Sequence, residues 1–240
     1  MEVTTHSTAA VRRAFRAAFP TTLPIFTGFL FLGAAYGIYM NAFGFNPLYP
    51  ILMSALIYAG SMQFVAVSLL TGPFDPLGAL FMTLLVNARH LFYGVSMLEK
   101  YRGTGMKKIY LMHYLSDETF SINCTAHVPP GVDGTWYMFA VTVLNHAYWV
   151  FGTAVGAVAG KLVTFETKGI EFVMTALFLV IFLEQWRKET SHKASLVGLL
   201  ATVLCLALFG AKHFILPSML IILIVLTLFR GRIEGEEAQS

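Results

Sequence analysis

An arginine lies near the middle of a stretch that is otherwise long and apolar enough to enter a membrane. The stretch runs from Leu77 to Leu98 and carries Asn87, Arg89 and His90 near its centre. A charged side chain at the middle of a membrane helix costs about 2.5–3.5 kcal/mol on insertion scales, so it is seldom kept without a role. We therefore expect Asn87 and Arg89 to contact an anionic group of a ligand. The alternative is an arginine that reaches the lipid headgroups, which holds if the span ends near Val86.

Two adjacent carboxylates form the second candidate group. Asp117 and Glu118 lie in the stretch Ile109–Ala126, whose sequence is typical of a helix. Adjacent side chains of a helix point about 100° apart, so we expect only one of the two to face a given cavity. That carboxylate could hold an ammonium group, pair with Arg89, or take up a proton because desolvation disfavours its charged form. The alternative, that Ser116 or Asp117 caps a helix at the water interface, stays open.

The second apolar stretch is interrupted by residues that permit a local unwinding, Tyr58-Ala59-Gly60-Ser61-Met62-Gln63. Gly60 and Ser61 tolerate a bend, and Gln63 can both donate and accept hydrogen bonds. An unwound turn would present backbone N–H groups and the positive end of a helix dipole to an anion. The alternative is close packing of small residues against another helix.

Four titratable side chains are candidates for carrying a proton. His90 and His113 join Asp117 and Glu118, because the imidazole group changes its charge near neutral pH. Each histidine, His146 included, is more often a packed and hydrogen-bonded residue, which is the alternative. No group of histidines has the spacing of a metal site, and no catalytic triad, nucleotide-binding loop or dinucleotide motif occurs. We expect no metal, no cofactor and no enzymatic activity.

The composition indicates where these residues lie. Of the 240 residues 57% are hydrophobic and 12% are charged, and the mean hydropathy is +0.69. About a quarter of the residues of a soluble domain are charged, whereas the 58 residues from Ala17 to Phe74 include no Asp, Glu, Lys or Arg. A helix needs about 20 residues to cross the hydrocarbon, so this stretch holds two membrane helices. The sequence predicts an integral membrane protein and excludes nucleic-acid binding, disorder and a disulfide-stabilised secreted domain.

The apolar stretches predict an all-α fold, a polytopic bundle of about seven or eight transmembrane segments, some broken or re-entrant. The predicted segments are 17–42, 47–70, 77–98, 109–126, 135–160 and 169–186, followed by two apolar runs within 194–229. Residues 17–229 form one transmembrane transport domain between a basic cytoplasmic segment, 1–16, and an acidic disordered tail, 230–240. In the fifth segment Gly152, Gly156 and Gly160 make a stripe that another helix can approach closely.

The sequence also contains a possible internal repeat. Met53-Ser54-Ala55-Leu56 is similar to Met174-Thr175-Ala176-Leu177, Gln63 corresponds to Gln185, and Ala88-Arg89-His90 is similar to Ala211-Lys212-His213, at offsets of 121 to 123 residues. A duplicated three-helix unit, 17–98 and 135–219, would give such offsets, although apolar helices also resemble one another by chance. Repeats with interrupted helices are typical of transporters with a site at the bilayer midplane.

The charge distribution conflicts with a simple topology. Arg12, Arg13 and Arg16 place the N-terminus in the cytoplasm by the positive-inside rule. Three complete crossings would then put the basic loop 99–108 outside, against that rule. We therefore expect that one of the first three segments does not cross fully, and the interrupted third segment, 77–98, is the first candidate.

Three stretches together resemble the hallmark sequences of the AzlC family, the large subunit of two-component branched-chain amino acid exporters. They are Tyr58–Gln63, Asn87–Gly94 and Ser116–Phe120, and the resemblance covers about residues 14–229. It implies a multi-pass protein of the prokaryotic cytoplasmic membrane that works with a small membrane subunit of the AzlD type. It further implies export of valine, leucine, isoleucine and, in some members, methionine.

A zwitterion with an aliphatic side chain needs an anion clamp, a cation clamp and an apolar pocket. The expected members are Arg89 with the backbone of Gly60 and Ser61 for the first, Asp117 or Glu118 for the second, and Tyr36, Phe64 and Phe92 for the third. Uphill export would draw on the proton gradient, with about 2.3 kcal/mol per charge for each 100 mV. The alternatives are a channel for small polar solutes with Arg89 in its constriction, an intramembrane enzyme and a scaffolding subunit.

Overall fold

A computed structural model of the chain describes residues 8–126, 128–162, 179, 182–183, 186–187, 192–214, 217–218, 220–222, 224–226 and 228. Over these residues the regular secondary structure is entirely helical, which confirms the all-α prediction. The helices are α1 (Thr8–Ala42), α2 (Leu48–Leu56), α3 (Gly60–Thr71), α4 (Pro76–Val86), α5 (Ala88–Met97), α6 (Lys107–His113), α7 (Asp117–Thr125), α8 (Gly134–Leu162) and α9 (Lys193–His213).

Three of these helices are long and apolar enough to cross a membrane. They are α1, α8 over Gly134–Lys161 and α9 over Lys193–Gly210. The prediction of a membrane helical protein is therefore confirmed. Helix α1 begins at Thr8, ahead of the predicted start at Ala17, so the arginines of the basic segment belong to its first turns.

The chain divides into two compact units, residues 1–170 and residues 171–240. The second unit contains α9, in which Gly210 departs from helical geometry with φ 69° and ψ 170°. The predicted segment 169–186 lies mostly outside the described residues. Met174–Leu177 and Gln185 of the possible repeat, and the acidic tail 230–240, lie outside them as well.

In the first unit α1 and α8 pack in parallel along their whole length. Gly33 lies against the backbone of Thr153, and Gly156 lies against the backbone of Ala34. A side chain on either glycine would overlap the facing helix, so the close approach requires them. The predicted small-residue stripe of α8 is thus the surface on which α1 packs. Because the two helices are parallel, residue numbers increase in the same direction along both.

Helices α2 and α3 form a hairpin that begins at the C-terminal ends of α1 and α8, runs toward the middle of these helices and turns back. Tyr49 of α2 contacts Phe45, just beyond the end of α1. Ser54, near the end of α2, hydrogen-bonds Thr153 of α8 over 2.9 Å. The chain reverses at residues 57–59, and in α3 Phe64 again packs on Tyr36 of α1. We call α2 and α3 with this turn the first hairpin. The predicted single segment 47–70 is therefore wrong, although its interruption lies where the sequence indicated.

Helices α6 and α7 form a second hairpin that enters from the opposite end. The ammonium of Lys107 lies 4.2 Å from the ring centre of Trp136, in the first turn of α8. Tyr110 reaches His146 near the middle of α8, and the return helix α7 brings Asn123 back to Thr142. The single helix predicted over 109–126 is therefore wrong. Residues 114–116 end α6 and restart the helix, because the extended backbone of Ser116 lets its side chain cap α7.

Helices α4 and α5 together pass from one end of α8 to the other, with a break at Asn87. Helix α4 lies beside α3, and at the end of α5 Met97 packs with Met138, near the start of α8. The third segment therefore continues in one direction through its break, which differs from the expectation that it is the segment that does not cross. The second segment turns back instead, because its helices α2 and α3 reverse at residues 57–59. This arrangement brings the basic loop 99–108 to the same end as Arg12 and Arg16, which satisfies the positive-inside rule.

Candidate functional site

The turns of the two hairpins meet near the middle of α8. The hydroxyl of Tyr114 donates a hydrogen bond of 2.9 Å to the carbonyl of Ala55. Nε2 of His113 lies 2.9 Å from the carbonyl oxygen of Leu56, to which it donates. The second hairpin thus supplies hydrogen-bond donors to the last carbonyls of α2, which the break in the helix leaves without helical partners. The reversal itself requires Tyr58 in a left-handed conformation, with φ 53°.

Arg89 contacts both hairpins next to their turns. It lies in the first turn of α5, directly after the break at Asn87. Its Nη1 lies 2.5 Å from Oδ2 of Asp117, and its Nη2 donates to Oγ of Ser61 over 3.3 Å. Ser61 lies in the first turn of α3 and Asp117 begins α7, so one guanidinium group spans the N-termini of both return helices. The structure therefore brings together the three stretches in which the sequence placed the chemistry.

Each residue of the ion pair has one polar atom that takes no part in the pair, a donor on Arg89 and an acceptor on Asp117. Nε of Arg89 and Oδ1 of Asp117 are buried and have no hydrogen-bond partner among the described residues. The side chains as a whole are 37% and 31% exposed, so the pair borders open space. A buried donor or acceptor without a partner costs about 1–3 kcal/mol. A ligand that supplies both an acceptor and a donor would satisfy these two atoms.

The carboxylates of α7 differ in their surroundings. Ser116 caps the helix, since its Oγ accepts a hydrogen bond of 3.3 Å from the backbone N–H of Thr119. Asp117 pairs with Arg89, while Glu118 is partly buried and makes no ion pair within the described part of the chain. Capping and ion pairing are therefore both present, on neighbouring residues. Of the two acids, Asp117 is thus the one that pairs with Arg89.

Gln63 lies within a buried network. Its Nε2 donates to Oγ of Ser54 over 3.0 Å, and its Oε1 accepts from Nε1 of Trp149 over 2.9 Å. Ser54 in turn bonds Thr153. Both ends of the amide are paired with protein, so Gln63 fixes the first hairpin against α8. Sequence reasoning did not identify Trp149 or Thr153, because they lie more than eighty residues away from Gln63 along the chain.

The aromatic residues expected in an apolar pocket divide into two groups. Tyr36 and Phe64 are 0% and 3% exposed and contact each other edge to face. Phe92 is 63% exposed. Near the pair, the rings of Tyr93 and Phe120 stack with their centres 4.4 Å apart. These two residues, one turn beyond Arg89 and Asp117, were missed in the sequence although they belong to the same stretches.

The remaining candidates lie close to the same place. Gly60 sits against the indole ring of Trp149, which leaves space for no larger side chain without a shift. Asn87 stands at the N-cap position of α5 without a capping hydrogen bond from its side chain. Nδ1 of His90 is buried without a partner among the described residues. The described residues contain no cluster of His, Cys, Asp and Glu that could hold a metal ion.

Comparison with known proteins gives a consistent picture. The family model described as AzlC protein matches residues 24–163. The branched-chain amino acid transport protein AzlC of Bacillus subtilis is 60% identical over 224 residues, covering 93% of this chain and 88% of the relative. An uncharacterised membrane protein of Haemophilus influenzae is 48% identical, with 93% and 92% covered. The inner membrane protein YgaZ of Escherichia coli is 28% identical, with 85% and 86% covered. No solved structure matches the chain significantly.

Proposed function

The chain belongs to the AzlC family of multi-pass membrane proteins, and we propose on this premise that it is a secondary active exporter of branched-chain amino acids. Its substrates are valine, leucine and isoleucine, with methionine as a further candidate. Amino-acid transport is supported by the name of the Bacillus subtilis relative, whose sequence aligns over nearly the whole chain. The direction and the individual substrates follow from the family resemblance.

The observation that carries the proposal is the pair of free atoms at the junction of the hairpins. An amino acid bears a carboxylate and an ammonium group on the same carbon atom. Nε of Arg89 offers a donor for the carboxylate, and Oδ1 of Asp117 offers an acceptor for the ammonium. The N-terminus of α3 at Gly60 and Ser61 adds partial positive charge on the carboxylate side. Tyr93 and Phe120 offer apolar surface to the side chain.

The hairpins give this site a way to open to either side. Each hairpin enters from one end of α8 and ends near the middle, so the substrate lies beneath the turns of both. Movement of the first hairpin would open the site to one side of the membrane, and movement of the second would open it to the other. Arg89 contacts the return helices of both hairpins, so the binding of substrate to Arg89 is coupled to the position of each hairpin.

Uphill export needs an energy source, and the sequence contains no nucleotide-binding motif. The proton gradient supplies about 2.3 kcal/mol per charge for each 100 mV. Candidate proton carriers at the site are Asp117, Glu118, His90 and His113. The functional unit further includes a small AzlD-like membrane subunit, as the family resemblance implies. Both the coupling and the partner belong to the proposal.

Export of isotopically labelled valine from proteoliposomes or cells tests the proposal. The chain is produced together with a small membrane protein of the AzlD type, and the small protein produced alone serves as a comparison. We expect valine to leave against its gradient, and we expect an uncoupler and Arg89→Ala each to abolish this export. Passive valine flux that ignores the uncoupler would identify a channel. Unchanged valine flux after removal of the chain would contradict a transport role.

A further inference from the structure

His146 occupies the point on α8 where the two hairpins meet. Its ring stacks on Tyr114 of the second hairpin with centres 4.0 Å apart. It also contacts Tyr58, at the turn of the first hairpin, edge to face at 5.0 Å. The two hairpins, which move in the proposed mechanism, thus contact the same histidine of α8, the long helix against which they pack.

The two nitrogens of this ring have different surroundings. Nδ1 lies 2.8 Å from the hydroxyl oxygen of Tyr110. Nε2 is buried without a hydrogen-bond partner among the described residues. The backbone carbonyls of Ser54 and Ala55, in the last turn of α2, lie beside the ring. The carbonyl end of a helix carries partial negative charge and favours a cation.

These surroundings suit a ring that gains and loses a proton. Neutral histidine carries one N–H group, and its imidazolium form carries two. With two, one N–H can bond the Tyr110 hydroxyl while the other faces the carbonyl end of α2. With one, on Nε2, the Tyr110 hydroxyl donates to Nδ1 and the N–H still faces the carbonyls, but the positive charge that attracts the carbonyl end of α2 is gone. The charge of His146 therefore alters the contact between α8 and the first hairpin.

The other titratable groups around His146 come from each neighbouring element. Tyr110 and His113 face it from α6, and Tyr114 faces it from the position directly after that helix. Tyr58 faces it from the turn of the first hairpin, and the charge of Glu118 in α7 acts on the Tyr58 hydroxyl in turn. The tyrosines stay neutral at physiological pH and His113 already donates to a carbonyl. Of these groups, His146 is the one on α8, and it contacts residues of both hairpins.

We propose that His146 binds the coupling proton of the transport cycle. The proton adds to a ring nitrogen lone pair when the ring faces the donor side and leaves as H⁺ on the other side. The positive charge of the protonated ring attracts the carbonyl end of α2 more strongly than the neutral ring does, so proton binding favours the position of the first hairpin described above. This inference rests on the proposed function and adds a coupling residue that does not touch the substrate.

The test uses proteoliposomes that contain the full chain with its small subunit, prepared with the wild type, His146→Gln and Tyr110→Phe. His192→Gln serves as the matched control, since His192 stacks on Trp186 in the second unit. Two activities are measured with labelled valine: accumulation driven by a pH gradient, and exchange of valine for valine without a gradient. Both are followed between about pH 5 and 8, the range in which histidine changes its charge.

We expect His146→Gln to reduce gradient-driven accumulation by at least about tenfold, the effect of about 1.4 kcal/mol, while exchange continues and no longer depends on pH. Tyr110→Phe keeps the ring packing and should shift the pH dependence of exchange. The control should match the wild type.

Gradient-driven accumulation and a pH profile that are unchanged in His146→Gln would overturn the proposal. If His146→Gln loses both activities, the Tyr110→Phe profile decides, and an unshifted profile also overturns it. A wild type that transports no valine would instead refute the proposed function, and this inference with it. The two failures are therefore distinct.

Discussion

Replacing Asp117 with asparagine separates the two halves of the proposed binding site. The asparagine keeps the shape of the side chain but removes the charge that pairs with Arg89 and would face the substrate ammonium. A hydrogen bond to a charged group contributes about 1.5–3 kcal/mol. Because Asp117 is 31% exposed, the lower end applies, and we expect valine affinity to fall by about tenfold.

Two analogues of valine make the prediction specific. Isovalerate lacks the ammonium group and isobutylamine lacks the carboxylate. In Asp117→Asn, isovalerate should bind as well as in the wild type or better, because Arg89 loses its competing carboxylate. Isobutylamine should lose most of its binding. In Arg89→Ala the order should reverse. Affinities come from displacement of labelled valine from the purified protein in detergent.

Glu118→Gln provides the matched control, since it changes the neighbouring acid by the same chemistry. Glu118 makes no ion pair within the described part of the chain, so its effect on valine affinity should be much smaller than that of Asp117→Asn. Equal losses for valine and isovalerate in Asp117→Asn would refute the assignment of this carboxylate to the ammonium group. Equal and slight effects of both acids would mean that they serve only to stabilise the start of α7.

Three further predictions concern the framework. Gly156→Ala should destabilise the folded protein in detergent by about 1–3 kcal/mol through overlap with the backbone of α1, whereas Gly28→Ala, with free space around it, should not. Ser116→Ala should lower the unfolding free energy by about 1 kcal/mol through loss of the cap, as measured by thermal unfolding. In a variant whose native cysteines are replaced, a cysteine at Arg102 should react with an impermeant reagent from the cytoplasmic side and one at Asp75 from the opposite side; labelling of both from one side would contradict the crossing of α4 and α5.

Residue chemistry was more predictable from the sequence than the path of the chain. The polar groups of Arg89, Asp117 and Ser61 stand out because they occur in stretches where a polar atom is costly, and the structure brings these three into contact. The glycine stripe of α8 was also evident from spacing alone. Such signals are local, so one sequence is enough to find them.

The reversal of the chain in two segments could not be predicted in the same way. Residues 47–70 are long enough for a complete crossing, and a hairpin of two short apolar helices has the same composition. What distinguishes them is contact with distant residues, such as the bond between Ser54 and Thr153, 99 residues apart. The positive-inside rule showed that one early segment does not cross, but it did not identify the segment. The polar residues within 77–98 led us to choose this segment instead of 47–70. In the structure the break at Asn87 places Arg89 at the start of α5, and α4 and α5 continue in the same direction.

The same reasoning explains which site residues were missed. Tyr93 and Phe120 look like ordinary membrane aromatics, and only the meeting of α5 with α7 places them beside the ion pair. His146 was named among the histidines but interpreted as a packed residue, because it lies in an unbroken apolar helix. Its position opposite the carbonyl end of α2 becomes evident only when both hairpins are seen to end there.

A structure of the protein with bound L-valine tests the central claim most directly. The account predicts valine between the two hairpin turns, with its carboxylate bonded to Arg89 near the start of α3 and its ammonium bonded to Asp117. Valine bound elsewhere, with the Arg89–Asp117 pair closed and no ligand at the junction of the hairpins, would contradict it.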